Sequence, residues 1–206
     1  MSKLYLWSEF VVLFFVIPLL YFFELIPIHK AVPLVFVFIY CLVVMYNRKS
    51  ISKRIFKIKS AYPLKEVALK SLFLLVVSSI WVYIFREDVF FHLPLNNFWF
   101  WVFIVLTYPI WSAFTQEFIY RFFFYQRYRK LFDSILVMIF VNALCFAMAH
   151  IIFRNWVALV FTFVGSIVFS LTYIRSKSLN VVFIEHSLYG NIFFTNGFGI
   201  FFYLPL

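Results

Sequence analysis

Charge is what this sequence has least of. Only 13% of its 206 residues are Asp, Glu, Lys or Arg, and 66% are hydrophobic. A soluble domain carries about 25% charged and roughly 45–50% apolar residues. A water-soluble fold of this length still exposes a large share of its chain, so it could not hide so much apolar surface. The shortage of charge therefore excludes a soluble globular protein, and lipid must cover what the fold leaves out. Cysteine is scarce as well. Cys41 and Cys145 lie far apart in apolar runs, which excludes a disulfide framework and leaves the redox compartment unspecified. Both read as small core hydrophobes. There is no internal repeat, no low-complexity linker and no recognised nucleic-acid module.

What the chain has instead is a series of apolar runs near the roughly 20 residues a spanning helix needs. The first covers Leu4 to Ile28, interrupted by Glu9, Pro18 and Glu24; it is too long for a signal-peptide core and no small-residue cleavage site follows,. The next are Val32 to Tyr46 and Val67 to Phe85. A long fourth segment runs from Phe98 to Tyr128 with Pro109 as a kink or a break. Then come Ser134 to Ile152, Trp156 to Ile174 and Leu179 to Phe194, followed by a tail from Thr195 to Leu206. The expectation is an all-α, polytopic transmembrane helical bundle of about seven spans, with residues 1–206 forming a single membrane domain.

The charge that is present gives a direction. Basic residues collect in alternate loops: Arg48, Lys49, Lys53, Arg54, Lys57, Lys59 and Lys65, then Arg127, Arg129 and Lys130, then Arg175 and Lys177, with Lys3 on the same side. The opposite loops offer Lys30, Arg86 and Arg154, beside Glu87 and Asp88. Because cytoplasmic loops carry the excess of Lys and Arg, the N-terminus is expected in the cytoplasm and the C-terminus outside, in the plasma (inner) membrane. The net charge of +10 points to anionic lipid headgroups as partner, not to nucleic acid.

Ionisable groups inside spans are costly and mark function. Three places stand out: Glu117 with Arg121, His150, and Glu185 with His186. Glu117 and Arg121 are four apart and share a helix face; for an isolated pair, simple neutralisation of the acid is the plainer account. The pair is not isolated. The chain turns near Phe132–Asp133, about sixteen residues after Glu117 and seventeen before His150, so antiparallel helices bring the two to similar depth. His186 follows the Arg175–Lys177 loop closely enough to approach them. Such a set, with Glu117, His150 and His186 as candidate ligands, can bind a divalent metal such as zinc, or can activate a water without one. His29 and His92 fall in outer loops and read as solvated. Glu9 and Glu24 have no partner assignable from sequence.

At these residues the sequence resembles the CPBP intramembrane protease family, also called the Abi or CAAX-protease family. Its Glu-Glu-x-x-x-Arg motif reads Gln116-Glu117-Phe118-Ile119-Tyr120-Arg121. Its Phe-x-x-x-His motif reads Phe146 to His150, and its His-x-x-x-Asn motif reads His186-Ser187-Leu188-Tyr189-Gly190-Asn191. The resemblance covers about 108–191. It implies an endopeptidase that hydrolyses peptide bonds in or beside the membrane, acting on a membrane-associated or lipidated peptide or protein. By the resemblance, Glu117 and His150 activate water, Gln116 positions it, Arg121 orients Glu117, and His186 holds the oxyanion with Asn191 as a weaker candidate. The sequence departs from the family twice. Gln116 replaces the first glutamate, and an amide cannot take a proton from water; Gly190 stands where asparagine is expected. Either Glu117 or Glu185 has taken the base role, or the protein is a non-catalytic relative that binds membrane peptides or lipidated proteins in immunity or maturation. A small proton-coupled transporter is the third reading.

Overall fold

A computed structural model describes residues 2–26, 31–60 and 62–202. Seven long helices run through them: α1 (Lys3–Phe22), α2 (Ala31–Asn47), α3 (Tyr62–Phe85), α4 (Phe98–Arg127), α5 (Ile135–Ala149), α6 (Trp156–Ser176) and α7 (Leu179–Asn196). No strand occurs among the described residues. Each expected span thus has its helix. Five of them, α1 and α3 to α6, are long and apolar enough to cross a membrane on length and composition; α2 is shorter, and α7 carries the polar residues of the last motif. The expectations for His29 and Lys30 fall outside the described residues, as does the end of the tail. His92 lies exposed at the start of a short helical turn, His92–Asn96.

Side-chain caps start several of the helices. The Ser134 hydroxyl accepts from the Leu136 N–H at 3.2 Å, the Asn155 carbonyl from Ala158 N–H at 2.8 Å, and the Ser178 hydroxyl from Val181 N–H at 3.5 Å, meeting orphan donors of the first turn. Gly197 ends α7 with φ of 98°, and a Cβ there would fall 2.2 Å from the Val89 carbonyl oxygen; only glycine fits. The fourth segment is one helix from end to end. Pro109 opens a widened π-type turn, Pro109–Phe114, and Pro18 follows another, Val12–Val16. Proline lacks an N–H and crowds the carbonyl four residues back, and the wider turn before Pro18 relieves that clash. A third widened turn, Phe118–Phe123, contains no proline and directly follows Glu117.

Helix ends that strict up–down alternation places on one side are in contact. Arg154 reaches the Phe22 carbonyl and Glu24, Asn180 donates to the Phe56 carbonyl, and Phe91 N–H donates to the Asn196 carbonyl. Outward faces stay apolar: Leu69, Phe73, Trp99, Trp111, Leu136 and Trp156 are each well over half exposed, as lipid contact requires. Outside the spans, Arg86 forks onto Asp88 at 2.9 and 2.8 Å, and those hydrogen bonds hold the Asp88 carboxyl below its usual range.

Inside, α1, α4 and the turn after α4 interlock through aromatic edges. Phe10 meets Tyr128 at 5.4 Å and Phe14 meets Phe124 at 5.5 Å, contacts worth about 0.5–1.5 kcal/mol each beyond their area. Glu9 sits at the polar end of this wall and does have partners. Arg127 grips it at 2.8 and 2.5 Å, and the Tyr40 and Tyr128 hydroxyls each donate to it at 2.8 Å. Arg127 is therefore a buried anchor for α1, α2 and α4, not a solvated loop charge. Removing one partner of a buried pair costs about 3–5 kcal/mol. Glu9→Ala is expected to lower the thermal unfolding midpoint in detergent sharply, and Glu9→Ala with Arg127→Met to recover much of the loss. Equal midpoints for parent and Glu9→Ala would remove this cluster as an anchor.

Candidate active site

The site is assembled where α4, α5, α6 and α7 meet. Glu117 and Arg121 have no exposed surface, so every polar contact they make must come from the protein. Glu117 Oε2 lies 3.1 Å from Arg121 Nε, and Glu117 Oε1 lies 2.7 Å from His186 Nδ1. The guanidinium is fixed from three other directions. Its Nη1 donates to Asn142 Oδ1 at 2.7 Å, and its plane lies between Phe146 at 5.2 Å and Phe169 at 5.6 Å. Ring faces of this kind stabilise a desolvated cation by about 2 kcal/mol. Phe169 also stacks on His186, 4.6 Å between ring centres at 20°.

Asn142 is the residue sequence reading passed over. Its carbonyl oxygen accepts from Arg121, Ser166 and Ser170, and its amide donates to the Tyr120 carbonyl at 2.8 Å. It thereby pins α4, α5 and α6 together at the depth of the pair. A lone asparagine in an apolar span was the available signal. Lys70 was also passed over, although it is an ionisable residue inside an expected span. It pairs with the buried Glu185 and donates to Thr172 at 2.8 Å. Glu185 is thus engaged with α3 and Tyr189, and it lines no cavity with the motif residues.

Two apolar cavities approach this assembly. The larger, about 470 Å³, is walled by α3, α6 and α7 and includes Tyr108, His186 and Gly190; the smaller, about 320 Å³, lies between α1, α2 and α4. Gln116, Ser112, His150 and Phe153 border both. Gln116 donates to the Ser112 hydroxyl at 2.9 Å, and its Oε1 has no partner among the described residues. His150 Nδ1 lies 2.7 Å from the Phe146 carbonyl. A carbonyl only accepts, so Nδ1 carries the proton, and in the neutral ring Nε2 is a bare acceptor. The same reasoning applies to His186, whose Nδ1 faces a carboxylate.

The motif residues are thus gathered unequally. His150, His186 and Gln116 border the larger cavity. Glu117 does not: it lies behind His186 with both oxygens engaged. Asn191 borders neither cavity and donates to the Val105 carbonyl at 3.3 Å. Among the described residues no three His, Cys, Asp or Glu side chains form a metal-ligating group, so Glu117, His150 and His186 do not fit a shared zinc ion, and no catalytic step is routed through one.

A helical membrane bundle with a buried Glu–Arg–His unit beside a histidine-lined cavity is the class the geometry defines. Residues 94–192 match the family model of the type II CAAX prenyl endopeptidase Rce1-like proteins, consistent with the CPBP family and placing this domain over α4 to α7. The match supports an intramembrane protease of that family. No curated protein matches the chain. No solved structure matches it either.

The role of Asn142 is open to direct measurement. Asn142→Leu strips the Arg121 guanidinium of its acceptor, and a hydrogen bond to a charged group is worth about 1.5–3 kcal/mol. The variant is expected to unfold at lower temperature, and Asn142→Gln to fall between. A Leu variant as stable as the parent would show that Arg121 does not depend on it.

Proposed function

We propose that the protein is an intramembrane endopeptidase whose water is held by Gln116 and His150 and deprotonated by His186. The observation that carries this reading is the short contact between Glu117 and His186 Nδ1. A carboxylate on Nδ1 orients the imidazole and balances the charge when Nε2 takes a proton. Glu117 then acts through His186 and needs no direct access to water. Gln116 Oε1 can accept one hydrogen of a water at the junction of the cavities, leaving the second for the imidazole acceptors, His150 Nε2 and His186 Nε2,. The apolar walls exclude bulk water and suit an apolar peptide from a membrane-associated or lipidated protein.

The test is cleavage of a membrane-anchored reporter peptide by the purified protein. Losing a general base typically lowers the rate about 10²–10⁴-fold. Glu117→Gln and His186→Ala are expected to fall in that range with folding retained, His150→Ala to be similarly slow, and Gln116→Glu to match or exceed the parent. A well-folded Glu117→Gln that cuts as fast as the parent sinks this mechanism. Gln116 itself favours a second reading, a non-catalytic relative that binds such peptides. No cutting by parent or Gln116→Glu over a broad reporter panel would select it.

We further infer that the protein lies in the plasma (inner) membrane with its N-terminus in the cytoplasm, where the basic segment 48–59 meets anionic headgroups. Cysteines introduced at 48–59 are expected to react with impermeant thiol reagents only in inverted vesicles. Labelling from the outer face would reverse the topology.

A further inference from the structure

The wall of the larger cavity beside His186 contains an unusual contact. A Cβ built on Gly190 would fall 2.1 Å from Tyr108 Cε1, 2.3 Å from Cζ and 2.4 Å from the hydroxyl oxygen. No real side chain tolerates such approaches, so the absence of one at 190 is what admits the phenol. The ring is held edge-on by Phe194 at 5.3 Å and His186 at 6.1 Å. Its hydroxyl makes no hydrogen bond to any described residue. The neighbouring hydroxyls on this cavity are committed: Thr162 donates to the Ala158 carbonyl and Tyr189 to Glu185.

Of the other polar groups lining the cavity, Lys70 is engaged with Glu185 and Thr172, the Ser112 hydroxyl receives the Gln116 amide, and Gln116 Oε1 and the Nε2 atoms of His150 and His186 are acceptors,. Those acceptors can hold and deprotonate water but do nothing for negative charge on a carbonyl oxygen, which requires donors aimed at it. We propose that Tyr108 is a catalytic residue, its phenol O–H the donor to the oxyanion formed during peptide hydrolysis. The inference rests on the peptidase reading. The water oxygen adds to the carbonyl carbon, the π pair of the C=O moves to its oxygen, and the water proton passes to His186. Tyr108 donates a hydrogen bond to that oxygen and keeps its own proton. When the intermediate collapses the C–N bond breaks, and the departing nitrogen takes the proton from His186.

The experiment compares two ligands of the full chain in detergent: a membrane-anchored peptide, and the same peptide with a tetrahedral phosphinate in place of the scissile amide. Tyr108→Phe keeps the ring and removes only the donor. Removing one oxyanion donor costs about 10²–10³-fold in kcat. The variant is expected to lose its preference for the phosphinate by a comparable factor, with affinity for the amide and the unfolding midpoint unchanged. Turnover of the reporter should fall through kcat, not KM. Gly190→Ala, whose methyl would displace the phenol, is expected to lose the same preference. A parent that binds phosphinate no tighter than amide, or a Tyr108→Phe variant that keeps the parent's preference, overturns the assignment. This binding readout needs no turnover, so it is distinct from failure of the peptidase reading, which appears as a parent that never cuts.

Discussion

The Arg121 guanidinium, fully enclosed two turns from the C-terminal end of α4, sets the terms for everything around it. A cation with no access to water must find its partners in the protein, and it is met by an acid on its own helix, an amide on α5, and ring faces from α5 and α6, with Nη2 left without a hydrogen bond to any described residue. Breaking any of these would leave charge stranded in apolar surroundings. The four helices that supply the site are therefore held at one relative depth by a requirement of solvation. His186 inherits its position from the same requirement, because the oxygen of Glu117 that Arg121 does not face is the one on which the imidazole rests.

The second charged cluster, around Glu9, lies under two turns further along α4, at its C-terminal end. It ties α1 and α2 to the last turn of α4, and so fixes the outer wall of the smaller cavity. Packing of Phe10, Phe14, Phe124 and Tyr128 fills the space between the two clusters. Apolar packing alone distinguishes poorly between helix–helix contact and helix–lipid contact, since both are equally dry. The buried ion pairs and aromatic edges give this bundle its particular arrangement.

Much of this was legible in the sequence. The seven helices follow from apolar runs, their alternation from the loops of Lys and Arg, and the convergence of Glu117 with His186 from motifs inside spans. Each feature that was not legible has a physical reason. Asn142 carries no charge and belongs to no motif, so its three accepted hydrogen bonds appear only when the helices are packed. Lys70 was detectable by the cost of an ionisable group in a span, but its partner lies over a hundred residues away. Glu117, which does not border the cavity, sits between two widened turns, and local sequence does not announce where a helix will widen. The seat of Tyr108 on Gly190 is a tertiary fit between α4 and α7.

Among the described residues, Gln116, Ser112, His150 and Phe153 are the only ones common to the linings of the two cavities. A chain crossing from one to the other must pass this partition, and the walls on either side come from different helices: α1 and α2 on one, α3, α6 and α7 on the other. Changes at Leu13, Ile17 or Leu34 alter one compartment without touching Phe73, Val164 or Phe193 in the other. On the proposed peptidase reading, preferences for the peptide segments on the two sides of the partition can therefore drift separately, like two locks mounted on a single bolt.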